Sequence, residues 1–230
     1  EMSELKLHQT VSHLVAPVSH SGLDESGTIE DISHMTATIL LRKSRHKRAI
    51  VQHTVELLMV VDYAAYEWWT SLAHETVTQS TEADVMRMIQ QYYAYTYNGI
   101  DLRMQSILDE TIQIKLAFVG LIVAKTPDDS YWTTGPSVTS SGGSSRRMLN
   151  ASMALDNFQV WLDQNAVDLP AYDHAMLFTG YNLTYGGSAG NTGLAFKGSI
   201  CRNVSNSSVV EDVYDARTAI YAAQQLGRSL

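Results

Sequence analysis

The stretch "VELLMVVDY", Val55 to Tyr63, is almost continuously apolar and rich in β-branched residues. That length and composition fit a strand buried on both faces. A second run, "IQIKLAFVGLIVAK" from Ile112 to Lys125, alternates and then becomes wholly apolar, as a central strand would. Between them, "EADVMRMIQQYYAYTYNGIDLRM" sets Val85, Met88, Ile89, Tyr92 and Tyr93 at helical spacing, giving one apolar stripe for the core. The same alternation continues downstream. "MALDNFQVWLDQNA" is helical in period and "DHAMLFTGY", Asp173 to Tyr181, reads as another buried strand. "GGSAGNTGLAFKGSIC" mixes glycines with a short strand over Gly193 to Phe196, the pattern of an edge strand with a bulge. "DVYDARTAIYAAQQLGRSL" ends the chain in good helix formers, with Asp215 as N-cap. Strands alternating with helices define an α/β domain. "DDSYWTTGPSVTSSGGSSRR" interrupts the pattern and is a surface loop by composition.

The chain has 230 residues, 45% hydrophobic and 17% charged, enough to bury a substantial core. A net charge of -8 argues against nucleic-acid binding, which needs clustered Lys and Arg. There is no apolar run of membrane-spanning length. Five of the seven residues from Arg42 to Arg48 are basic. Arg45, Lys47 and Arg48 match the Arg-x-Lys-Arg pattern cut by secretory convertases, and the expectation is cleavage after Arg48, in an exposed loop. A start at Glu1 without a signal-peptide pattern suggests a piece of a longer precursor. Four Asn-x-Ser/Thr sequons, at Asn150, Asn182, Asn203 and Asn206, point to glycosylation and a secreted, extracellular location. In that setting the single cysteine, Cys201, suggests a partner thiol outside this sequence.

The order "ELLMVVD", "YNGIDLRMQSI…IKLAFVGLIV", "LDNFQVW", "DHAMLFTG", "GLAFKGSIC", "VVEDV", "TAIYAAQQLGRSL" resembles the catalytic domain of the reprolysin (adamalysin) branch of the metzincins, the ADAM and ADAMTS proteases. The resemblance implies a mixed twisted sheet with one antiparallel edge strand and an active-site helix at the C-terminus. It implies that residues 1–48 are a prodomain tail and 49–230 the protease-like domain. It further implies that Gly193, Leu194, Ala195 and Phe196 pair with an extended peptide, that Cys201 forms a disulfide, and that Glu56 and Asp168 stand where the family binds calcium.

The same resemblance lays the pattern His-Glu-x-x-His over the final helix. There the first histidine position holds Gln224, the general-base position Gln225, and the second histidine position Arg228. Imidazole pairs four apart on a helix hold zinc, and a glutamate takes a proton from the bound water. A carboxamide is a weak zinc donor, Gln225 cannot act as a base, and a permanently charged guanidinium repels the metal. His74-Glu75 begins like the motif but has Thr at position 78, and His174 opens a strand as a structural residue would. The expectation is a secreted pseudoprotease without zinc that binds an extracellular protein or peptide. An active zinc endopeptidase and a structural component of the extracellular matrix are the alternatives.

Overall fold

The computed structural model describes residues 50–107, 111–134, 138–139, 147–200, 202 and 205–230. Strand β1 (Val51–Val61) lies between β2 (Ile112–Val123) and β5 (His174–Thr179), parallel to both. Beyond β5 come β9 (Ser207–Glu211), also parallel, and β8 (Gly193–Ala195), antiparallel at the edge. The sheet order is therefore β2-β1-β5-β9-β8, a mixed sheet. Its helices are α1 (Tyr63–Thr76), α2 (Glu82–Gln105), α3 (Tyr131–Thr134), α4 (Ala151–Gln164) and α5 (Arg217–Ser229).

Side-chain alternation along the strands splits the core in two. Val55, Leu57, Met59 and Val61 of β1 pack with Met176 and Phe178 of β5 against residues of α1, α2 and α5. Leu58 and Val60 face the other way and meet Ala154, Leu155, Phe158 and Leu162 of α4. The apolar run that reads as a two-sided strand is thus buried by a helical layer on each face. A register irregularity between Leu57 and Leu58 interrupts its pairing with β2.

Local chemistry starts each long helix. Asp62 closes β1 and caps α1, accepting from Ala65 N at 2.9 Å. Thr81 and Asp84 form a reciprocal capping box at α2. Asn150 caps α4 through Ser152 N and Met153 N. Before α5, Asp215 Oδ1 accepts from Arg217 N at 2.8 Å, although the residue immediately preceding the helix is Ala216.

A small second sheet, order β3-β4-β6-β7, comprises β3 (Val138–Thr139), β4 (Met148–Asn150), β6 (Asn182–Tyr185) and β7 (Ser188–Asn191). The polar stretch read as a surface loop departs from that expectation. Its α3 buries Trp132 at 1% exposure against Phe158 and Trp161 of α4. One indole among many polar residues is enough to bring the segment into the core, because a buried aromatic removes so much apolar area from water.

Candidate functional site

The final helix has two chemically different ends. Ahead of it, Asp212 is fully buried and collects four donors. Its Oδ1 accepts from Tyr92 Oη at 2.6 Å, Thr218 Oγ1 at 3.0 Å and Tyr214 N at 2.8 Å, and its Oδ2 from Tyr93 Oη at 2.6 Å. Burial raises the Asp212 carboxyl above its ordinary range, and the hydrogen bonds from the two tyrosines and Thr218 oppose that rise. Burial and then the neighbouring carboxylate raise both tyrosine hydroxyls, so they remain protonated donors. The network joins α2, β9 and α5.

Along α5, Ala219, Ala222, Ala223, Gln225, Leu226 and Ser229 are buried, whereas Gln224, Gly227 and Arg228 are exposed. Gln224 and Arg228, four residues apart, share the outward face. Gln225 is 1% exposed and lies beneath the edge strand: a Cβ on Gly193 would stand 2.7 Å from Gln225 Cγ and 2.7 Å from Val209 O. Only a glycine lets β8 approach the helix this closely. Arg228 Nη1 donates to Gln225 Oε1 at 3.1 Å. The last turn is tied to the chain after β8, where Gly198 N donates to Arg228 O, and Ser199 N and Ile200 N donate to Ser229 O.

This donor set does not suit zinc. Of the two expected ligand positions, Arg228 is a cation and Gln224 a lone exposed carboxamide, and carboxamides rank far below imidazole as zinc ligands. At the expected base position Gln225 is a buried amide whose oxygen already accepts from that cation. No group of three or more His, Cys, Asp or Glu side chains is placed to hold a metal among the described residues.

The other sequence-derived positions fall as follows. Gly193, Leu194 and Ala195 form β8 in regular register with Val210, Val209 and Ser208, and Phe196 follows the strand with its amide on Ser207 O. Glu56 is exposed on β1, and its amide donates to Asp173 Oδ2 at 2.9 Å. Asp168 is exposed in the turn after α4, its amide on Asn165 O. The carboxylate brought to Glu56 is thus Asp173, which sequence reasoning passed over. His174 is buried, with Nε2 2.8 Å from Ser208 Oγ, and burial lowers it to about 3. His74 is exposed beside Ser80. Asn150 Oδ1 serves as a helix cap, Asn182 begins β6, and Asn206 Nδ2 donates to Asp173 O. Arg45, Lys47, Arg48, Cys201 and Asn203 lie outside the described residues.

Sequence relationships place this architecture in a class. A reprolysin-type family model of metallo-peptidase family M12 matches residues 51–226, and the chain belongs to that family. It is therefore a metallopeptidase-type domain, a metzincin-like one, by descent. More particularly, it is similar to Venom metalloproteinase 2 of Eulophus pennicornis, with 22% identity over 210 residues, covering 89% of this chain and 45% of that protein. The chain spans less than half the length of that relative. The solved structure of archaemetzincin from Methanopyrus kandleri aligns with 14% identity and a TM-score of 0.33, over 81% of this chain and 76% of that one. Among the described residues, no helix is long and apolar enough to cross a membrane.

Proposed function

We propose that this domain is a secreted pseudoprotease of the ADAM or ADAMTS type, a metallopeptidase scaffold that binds an extracellular peptide or protein without hydrolysing it. The observation that carries the reading is the Arg228 to Gln225 hydrogen bond. A fixed cation and a neutral carboxamide satisfy each other where the family chemistry calls for a metal ligand and a base. What the scaffold retains is an antiparallel edge strand over the final helix. An extended peptide adding to Gly193–Ala195 would gain main-chain hydrogen bonds with little demand on its sequence. In this reading residues 1–48 are a prodomain tail released after Arg48, the sequons carry glycans, and Cys201 is disulfide-bonded.

Zinc content per chain, measured by plasma emission on the purified secreted protein, tests the reading directly. The expected value is far below stoichiometric, with no cleavage of a mixed peptide library. Stoichiometric zinc together with chelator-sensitive cleavage would instead establish the active endopeptidase, for which the family membership argues. The variant Gln224→His/Gln225→Glu/Arg228→His is expected to gain zinc affinity over the parent.

A further inference from the structure

The chain leaves β1 toward β2 on one side and later returns to β5 on the other, so strand order reverses between β1 and β5. Loops leaving the carboxyl ends of strands diverge at such a point, and the crevice between them is where open α/β sheets bind small ligands. Here the crevice is a cavity of about 310 Å³, reached by Ala64 beyond β1 and by Gly180 and Tyr181 beyond β5. Gly180 makes its floor possible, because a Cβ there would lie 2.6 Å from Ala64 C and Ala65 N.

The walls carry both charges and an aromatic ledge. Arg147 Nη2 stands 4.0 Å from Glu67 Oε2, with 56% and 55% of the two side chains exposed. The Arg147 guanidinium also lies 5.1 Å from the centre of the Tyr181 ring. A charge-assisted hydrogen bond closes to about 2.8 Å, so the fork and the carboxylate face the same crevice without being locked together. Trp68 stacks on Tyr214 at 3.7 Å and 6°, with Tyr214 held at φ 59°, a conformation that non-glycine residues seldom adopt. Tyr181 lines the crevice, and its hydroxyl is buried without a hydrogen-bond partner.

Opposite charges side by side next to an aromatic stack match a molecule that carries a carboxylate and an ammonium on one carbon and a ring one methylene away. We propose that this crevice binds a free aromatic α-amino acid, its carboxylate on the Arg147 fork, its ammonium against Glu67 and its ring on the Trp68–Tyr214 pair. The volume lies at the small end of ligand sites and suits one residue rather than a peptide. The site adjoins the N-terminal end of α5, whereas Gln224 and Arg228 occupy its last turns, so the pseudoprotease reading and this site stand or fall separately.

The test is a titration of the chain with L-phenylalanine, followed by calorimetry and by tryptophan fluorescence. Saturable one-site binding is expected at millimolar affinity or tighter, about -4 kcal/mol or better. N-acetyl-L-phenylalanine, L-phenylalanine amide and L-alanine each lack one of the three recognised groups and should bind at least about tenfold more weakly. Arg147→Gln and Glu67→Gln alter half-exposed side chains and should preserve the circular dichroism spectrum while each weakening L-phenylalanine about tenfold. No saturation up to about 10 mM, tenfold beyond the expected affinity limit, would overturn the proposal. So would equal affinity in both variants, or equal affinity for L-alanine.

Discussion

The two ends of α5 follow opposite rules. At its start, a buried carboxylate is surrounded by two tyrosines, a threonine and a backbone amide, each donating to it. In its last turns, one buried amide answers to one exposed guanidinium. The first arrangement is costly to disturb because the buried Tyr93 and Thr218 hydroxyls would lose their acceptor. The second is less costly to disturb because it rests on one hydrogen bond from an exposed donor to one neutral acceptor. The comparison teaches that the costlier network of this helix lies at its start, away from Gln224, Gln225 and Arg228.

The largest expected effect breaks the first end. Asp212→Ala removes the acceptor of the Tyr92, Tyr93 and Thr218 hydroxyls, and should lower unfolding free energy by about 3–5 kcal/mol, measured by urea denaturation. A smaller loss, Asp212 being merely one more surface cap, would dissolve the contrast.

Next comes pH. His174 is neutral in the fold, lowered to about 3 by burial, against about 6.5 when unfolded. The unfolded chain therefore binds more protons between these values, and stability present above pH 6.5 is lost as pH falls toward 3. Between pH 6.5 and 4.5 the loss from this group is about 2 kcal/mol. Denaturation midpoints of the chain and of His174→Gln across that range should diverge in slope, with the variant flatter. Asp62 and Asp212, both raised by burial, act with the opposite sign, favouring the fold at low pH and losing that contribution as pH rises through their folded values. They are common to both proteins.

A third change sharpens the contact between edge strand and helix. Gly193→Ala places a methyl group against Gln225 and Val209 O and should cost about 1–3 kcal/mol. Adding Gln225→Ala should return only part of it, since the carbonyl remains. The smallest effect belongs to the helix's last turn. Arg228→Gln removes one donor from Gln225 Oε1 and should lower stability by about 1 kcal/mol, the low end of the cost of an unsatisfied buried acceptor.

The buried strands were legible because β1 and β5 are apolar on both faces, and two helical layers leave no other composition workable. The stripe of α2 was legible for the same reason. What the periodicity could not give was the second use of its tyrosines. Tyr92 and Tyr93 pack as expected, yet their hydroxyls reach a carboxylate some 120 positions away. Trp132 was hidden for the opposite reason, one large apolar residue within a polar stretch. At the candidate site, the identities of Gln224, Gln225 and Arg228 came from spacing on one helix. That Gln225 turns inward beneath Gly193, while Arg228 stays outside and reaches back to it, depends on the edge strand, which lies about thirty residues earlier in the chain. The crevice beside Arg147, Glu67 and Trp68 had no signal in the sequence, since its walls come from four separate segments.

Three amides just past β8, those of Gly198, Ser199 and Ile200, are fastened to carbonyls of Arg228 and Ser229. The margin of the sheet and the tail of the helix are in effect one mechanical piece. Any strain applied by a molecule laid along that margin would be felt as torque on the helix's terminal turn, and the deuterium uptake of those three amides would serve as its gauge.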